Sequence, residues 1–238
     1  MKHTVARWAE RFGYEIRRQD QARRWLAHRG FASIIDIGAN EGQFAQQARK
    51  ALPDAWIHSF EPAEVPYARL VQAFQGDARF QAYPAAVGEE AGPAALQVNA
   101  FSPSSSLLPL AAAHREAFDF AQPASSLRVE VVTLDAWAAQ RPLPGPLLVK
   151  IDVQGFEDRV LRGGWQTLAR ASALLIEVSF VELYEGQWLF AQLDALLAGR
   201  GFQCSGFLDT YCHPKTGVPL SADAWFERVA AAPLAAAG

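Results

Sequence analysis

The feature that most limits what this chain can fold into is a repeated unit: a short apolar run, a breaker, then a helix-length segment. Ser33-Ile34-Ile35-Asp36-Ile37 ends at Gly38 and is followed by a helical segment from Gln43 to Ala51, stopped by Pro53. Trp56-Ile57-His58-Ser59-Phe60, a helical Val65 to Phe74, and a strand from Arg79 to Val87 closed by Gly88 repeat the rhythm. It returns with the strand Leu147 to Asp152 and helical Phe156 to Leu168, then the strand Ala173 to Val178 and helical Trp188 to Leu197. Apolar runs this short, without polar alternation, suit strands covered on both faces. Strands that alternate with helices imply a parallel sheet with right-handed crossovers. The expected fold class is α/β.

The rest of the chain is less regular. Ala94 to Asn99 and Leu127 to Val132 read as strands on either side of an insertion that holds Ser102-Pro103-Ser104-Ser105-Ser106. Phe202 to Leu208 and Tyr211 to His213, with Asp209-Thr210 between them, read as a closing antiparallel pair. Val5, Trp8, Phe12, Ile16, Trp25 and Leu26 recur at helical spacing, so residues 1–30 are expected to form a helical appendage to a single domain over 31–228. The Ala-rich residues 229–238 read as a disordered tail. Half the residues are hydrophobic, enough for one sizeable core. The net charge of −3, with Lys and Arg spread along the chain, argues against nucleic acid as a partner. Cys204 and Cys212 read as buried or idle thiols of a reducing cytosol, with a disulfide between them as the alternative, and no apolar stretch reaches the length of a membrane span. A cytoplasmic protein is expected.

In open α/β sheets ligands sit beyond the carboxyl ends of the strands, where the first strand turns into its helix. Here that turn is Gly38-Ala39-Asn40-Glu41-Gly42. Its glycines let the backbone approach a ligand, and Asn40 can take the left-handed conformation that most side chains avoid. Asp36 at the strand end can receive a cationic amino group or hold the loop. Glu61, at the end of the second strand, is placed to bind ribose hydroxyls, a use shared by nicotinamide and adenosyl cofactors. The loop separates the two: a pyrophosphate needs G-x-G-x-x-G, and here Asn40 stands where the second glycine would be required. A cofactor without phosphates fits better.

Asp-Ile-Gly-Ala-Asn-Glu-Gly-Gln at 36–43, Phe-Glu-Pro at 60–62, Ala-Val-Gly at 86–88, the serines at 104–106, Lys-Ile-Asp-Val-Gln-Gly-Phe-Glu at 150–157 and Glu-Val-Ser-Phe at 177–180 together resemble the FkbM family of methyltransferases. The resemblance spans about residues 33–208. It implies the Rossmann-like class I methyltransferase fold, a seven-stranded, mostly parallel sheet with an antiparallel C-terminal hairpin and helices on both faces. It further implies S-adenosylmethionine as cofactor, with Asp36, Gly38, Asn40 and Gly42 around its methionine and ribose, Glu61 at the ribose, Ala86 and Val87 along the adenine, and Ala39 and Pro62 also among the cofactor-binding residues. The implied reaction is O-methylation of a hydroxyl on a small molecule, a sugar, a glycan or a secondary metabolite.

Methyl transfer to a hydroxyl needs an in-line oxygen and a group or metal that removes its proton. Asp152 and Glu177 end neighbouring strands and are the candidate base and substrate anchor; Asp152 is also a candidate substrate contact. Lys150, two residues before Asp152, shares its side of the strand and could pair with it or orient the substrate. Glu157 reads as a helix N-terminal charge, or as part of a Mg²⁺ site with the other two carboxylates. Ser105 represents the serine run, either flexible loop or substrate-binding lid. His114, His213 and Tyr184 read as surface or packing residues, with a base role open to either histidine. Trp8, Trp25, Trp137, Trp165 and Trp188 read as packing residues. Two competing classes remain at this point: a nicotinamide-dependent oxidoreductase acting on nucleotide sugars, lacking an obvious Tyr-x-x-x-Lys pair here, and a binding module without catalysis.

Overall fold

The computed structural model describes residues 20–99, 105–117 and 123–229. Of the expected N-terminal appendage it describes only α1 (Asp20–Arg29); Trp8 and its neighbours, Ser104 and the tail 230–238 lie outside the described residues.

The alternation read from the sequence is present. β1 (Ser33–Ile37), α2 (Gln43–Ala51), β2 (Trp56–Phe60), α3 (Glu64–Ala73) and β3 (Phe80–Tyr83) form the first half. β7 (Leu147–Ile151), α6 (Glu157–Arg162), α7 (Trp165–Leu168), β8 (Ala173–Ser179), α8 (Phe190–Ala198), β9 (Phe202–Cys212) and β10 (Pro219–Arg228) form the second. Between them lie β4 (Ala86–Val87), β5 (Gly92–Asn99), α4 (Ala112–Ala117), β6 (Pro123–Val132) and α5 (Leu134–Ala138). The main sheet has seven strands in the order β3-β2-β1-β7-β8-β10-β9, parallel except for β10, which runs antiparallel to both neighbours. This is the class I methyltransferase architecture.

β1 and β7 are buried along their whole length, which explains their unalternating apolar composition. Successive side chains still point to opposite faces. Ile35, Ile37, Val149, Ile151, Leu174 and Ile176 enter one core, and Ile34, Ile57, Leu148, Leu175 and Trp225 the other, where α1 and α2 pack. Asp36 and Lys150 fall on this second face, in register with one another.

Three expectations change. The single strand expected over Arg79–Val87 is two: β3 ends in the main sheet at Tyr83, and β4 pairs with β6 in a separate three-stranded sheet, β4-β6-β5. Pro84 has no amide hydrogen to continue the ladder, and the chain changes sheet there. The helix expected over Phe156–Leu168 is two, broken at Gly163-Gly164, where the backbone of Gly88 passes so close that a Cβ on Gly163 would lie 2.0 Å from its carbonyl oxygen. The closing hairpin is longer than expected: β9 continues through Asp209-Thr210, absorbing register shifts, and its partner is 219–228 rather than 211–213. The turn lies at 213–218, closed by the His213 amide donating to the Val218 carbonyl at 2.8 Å.

Candidate active site

A cleft of about 350 Å³ opens at the carboxyl ends of the parallel strands, within the usual range for small-molecule sites. One wall is the turn after β1. Gly38, Asn40 and Gly42 all have positive φ, so the turn curls left-handed as their residue types allow. It is tied to the end of β2: the Phe60 carbonyl accepts from the amides of Gly38 (3.0 Å) and Ala39 (2.9 Å). The Glu61 carboxylate accepts from the amides of Asn40 (2.9 Å) and Ala63 (2.8 Å). Burial raises the pKa of Glu61, opposed by those two amides. Pro62, Ala86, Val87 and Phe156 continue this wall as an apolar slot.

Lys150 occupies the floor. Its Nζ lies 3.4 Å from Asp36 Oδ1 and 3.1 Å from Asp152 Oδ2, and it donates to the Gly38 carbonyl at 3.2 Å. Burial works against its charge, but the carboxylates of Asp152 and Asp36 outweigh it and hold the ammonium charged. Asp36 is fully buried and its pKa is raised by that burial, with Lys150 and the Ser59 hydroxyl pulling the other way. Asp152, despite burial, is held below the usual carboxylate range, chiefly by Lys150.

The loop after β7 contributes a residue that the sequence reading passed over. Gln154 has φ 56, uncommon for a residue with a side chain, and its amide sits at the centre of a polar network. Gln154 Nε2 donates to Asp152 Oδ1 (2.8 Å) and to Glu177 Oε2 (2.6 Å), and its Oε1 accepts from the Tyr184 hydroxyl (2.6 Å). The only signal in the sequence was a polar residue before Gly155 in the 150–157 motif. Glu177 therefore meets the cleft through Gln154; burial, then the charge of Asp152, raises its pKa well above the ordinary value. The amide lies between the two carboxylates that a Mg²⁺ ion would have to share. Among the described residues no group of three or more His, Cys, Asp or Glu is arranged to hold a metal.

Glu157 is a loop clasp. Its Oε1 accepts from the amides of Val153 and Gly155, both at 3.1 Å. Burial pushes its pKa up to about 7, opposed by those amides. A carboxyl that binds its proton more tightly folded than unfolded contributes stability at low pH that is lost as pH rises through about 7. Glu157→Gln keeps an acceptor without the charge. It is expected to be more stable than wild type at pH 8 by on the order of 2 kcal/mol and close to wild type at pH 5. Thermal melts at the two pH values check this, and an equal difference at both would contradict it.

Ser105 lines the cleft and its Oγ accepts from the Asn99 amide at 3.2 Å; Ser106 Oγ donates to the Gln154 carbonyl at 2.6 Å, tying the insertion to the network. His114 is buried against the ring of Tyr184, and His213 Nδ1 accepts the amides of Lys215 and Thr216 in the exposed hairpin turn, so neither histidine lines the cleft. Tyr184 is both packed and hydrogen-bonded into the network. Trp137 packs on Phe60 and Tyr83, and Trp165 and Trp188 lie under Arg200 and Arg162; Trp25 packs on Trp225 at the rim of the cleft. The far wall holds residues the sequence reading did not single out as site residues: Asp209, Tyr211 and Asp223 of the C-terminal hairpin. Leu220 and Trp225 are of strand-forming type, but Ala222 and Asp223 between them have little β propensity.

The sequence profile of the methyltransferase FkbM domain matches residues 36–204. This chain belongs to the FkbM methyltransferases. The 2-O-methyltransferase NoeI of Sinorhizobium fredii (strain NBRC 101917 / NGR234) is 30% identical over 175 residues, 68% of this chain and 70% of that one. The 31-O-demethyl-FK506 methyltransferase FkbM of Streptomyces tacrolimicus is 28% identical over 197 residues, 71% of this chain and 72% of that one. Among solved structures, the 1,6-didemethyltoxoflavin-N1-methyltransferase of Burkholderia thailandensis superposes with a TM-score of 0.46 at 12% identity, covering 95% of this chain and 87% of that one. As an FkbM methyltransferase the protein is an S-adenosylmethionine-dependent enzyme, which removes the nicotinamide-dependent alternative.

The residues present suit that cofactor. The Asn40 Oδ1 is enclosed and has no hydrogen-bond partner among the described residues, leaving an acceptor for a ligand N–H or O–H. A Cβ on Gly38 would fall 1.8 Å from the Asp152 carbonyl oxygen, so this FkbM methyltransferase keeps its first loop bare against the opposite strand. No helix among the described residues is long and apolar enough to cross a membrane.

Proposed function

We propose that the protein transfers the methyl group of S-adenosylmethionine to a hydroxyl of a sugar, a glycan or a secondary metabolite. One observation carries this reading. Among the described residues lining the cleft, Glu61, Asp152, Asp209 and Asp223 are acidic and Lys150 is the one cation, already engaged by two carboxylates. Such a cleft repels anionic acceptors and offers hydrogen-bond acceptors to hydroxyls. Both relatives carry O-methyl chemistry in their names, which supports the same reading.

In this reading Glu61 binds the ribose hydroxyls, while Asp36, Gly38, Ala39, Asn40 and Gly42 surround the methionine portion. Pro62, Ala86 and Val87 line the remainder. The bound cofactor supplies an electrophilic methyl on a sulfonium. Asp152 accepts a hydrogen bond from a second hydroxyl of the acceptor, and Lys150 and Gln154 fix its carboxylate so that the reacting oxygen is held in line. Glu177 anchors the acceptor's surroundings through Gln154, and Ser105 closes over it from the insertion.

Calorimetric titration with S-adenosylhomocysteine tests the cofactor half. Glu61→Ala removes charged hydrogen bonds worth about 1.5–3 kcal/mol, so affinity is expected to fall roughly 10- to 100-fold. Unchanged affinity would take Glu61 out of the site. Labelled-methyl transfer to a hydroxyl, identified by fragmentation of the product, tests the acceptor half; label on nitrogen or carbon overturns it.

A further inference from the structure

The methyl acceptor must give up a proton, and the carboxylates nearest the cofactor loop are poorly disposed to take it. Asp152 has Oδ2 against Lys150 and Oδ1 receiving Gln154 Nε2, which lowers its basicity. Glu177 receives Gln154 on Oε2 and the Ser221 hydroxyl on Oε1. Asp223 differs from both. It stands on β10 in register with Glu177, faces the cleft, and among the described residues no side chain or amide donates to its carboxylate.

We propose that Asp223 is the catalytic base, and that the acceptor therefore lies over the β8-β10-β9 end of the sheet, with the reacting hydroxyl between Asp152 and Asp223. The inference rests on the O-methylation reading above. Register supports the geometry. Asp36 pairs with Lys150, Lys150 with Leu175, and Asp223 with Glu177 two residues further up β8, so Asp36, Lys150, Leu175 and Asp223 share one face. Lys150 and Asp223 stand two strands apart in the sheet, a backbone spacing of roughly 10 Å, and both line the cleft. As the O–CH₃ bond forms and the S–CH₃ bond breaks, the O–H bond breaks and its proton passes to the Asp223 carboxylate, then to solvent. Nothing else is consumed.

The groups facing Asp223 are Lys150 and Asp152 from β7 and its loop, Glu177 from β8, and Asp209 and Tyr211 from β9; α1 presents Trp25 and Leu26 to the same cleft. Burial, then the charge of Asp152, pushes its carboxyl up to about 7, against the pull of Lys150. A base so tuned is half ionised near neutrality, where general-base catalysis is most efficient.

The test measures initial rates of labelled-methyl transfer from S-adenosylmethionine into hydroxyl-bearing compounds of a small-molecule and glycan extract of the source cells, from pH 5.5 to 9. Wild type is expected to gain rate up to about 7 and then level, following the ionisation of Asp223. Asp223→Asn should lose at least about 100-fold in rate, together with the pH-dependent rise. Its affinity for S-adenosylhomocysteine should not change. Asp223→Glu should recover part of the rate and the rise, and Asp152→Asn should be slower and keep a rise moved to lower pH, because the charge of Asp152 no longer raises Asp223. An Asp223→Asn enzyme that binds S-adenosylhomocysteine normally and retains the wild-type rate or pH profile overturns the assignment of the base alone. A wild-type enzyme that labels no hydroxyl overturns the O-methylation reading, and the base with it.

Discussion

Gly38→Ala is expected to lower affinity for S-adenosylhomocysteine by at least about 100-fold and to destabilise the fold by about 3 kcal/mol or more. Two costs combine. At φ 78 a Cβ is strained against the following carbonyl by about 1–2 kcal/mol. The larger cost is contact, since that Cβ would lie 1.8 Å from the Asp152 carbonyl oxygen, a backbone atom that no rotamer change can move. Nor can the strands part easily. β1 and β7 are in register through Ile37 and Ile151, and the Asp152 amide donates to the Ile37 carbonyl at 3.0 Å. Relief must come from the turn itself, which would draw the Gly38 carbonyl off Lys150 and the Asn40 amide off Glu61. Gly30→Ala is the control. Gly30 has φ 62 with nothing near its absent Cβ, so it should lose about 1 kcal/mol and no affinity. Calorimetric titration and urea unfolding of the two variants check the pair; matched affinities would mean that the turn does not hold the cofactor.

The contrast between these glycines bears on what could be read in the sequence. Gly38, Asn40 and Gly42 announced themselves because a left-handed turn between a buried strand and a helix restricts residue type locally. Glu61 was legible for the same reason, as an acid at the end of the next strand. The main sheet was legible because runs such as Leu147 to Ile151 have one physical solution, burial on both faces. What was hidden depends on partners far away in sequence. Gly163 and Gly164 fall inside a run that reads as one helix, and only the fold brings the Gly88 backbone against the first and the Leu134 side chain against the second. Gln154 looked like a polar loop residue, and only the fold brings Glu177 and Tyr184 to its amide. Asp223 was concealed by its strand. β10 inserts between β8 and β9, so its residues answer to both neighbours and to the cleft, and Ser221-Ala222-Asp223 carries no simple period. The turn after β1 is thus written in local conformation, whereas the far wall of the cleft is assembled from tertiary contacts.

Lys150→Met is expected to be the most damaging change at the floor of the cleft, lowering stability by about 3–5 kcal/mol at pH 8. Methionine fills the volume of the lysine stem, so packing is not what is lost. Asp36 is left at 0% exposure with the Ser59 hydroxyl, at 3.3 Å, as its remaining donor. Asp152 keeps Gln154 but loses the charge that holds it ionised. Both carboxyls then bind protons more tightly in the folded protein than in the unfolded chain. Stability lost at pH 8 should in part return as pH falls, because the protonated acids carry no charge to bury. The sign separates this account from a simple packing defect, whose cost would not vary with pH. Lys150→Met combined with Asp36→Asn should recover part of the loss at pH 8 and little at pH 5, because the asparagine removes the charge that the single variant strands. Denaturant unfolding of wild type and both variants at the two pH values decides it. Equal losses at pH 5 and pH 8 would show that the Asp36–Lys150–Asp152 cluster is not held by charge.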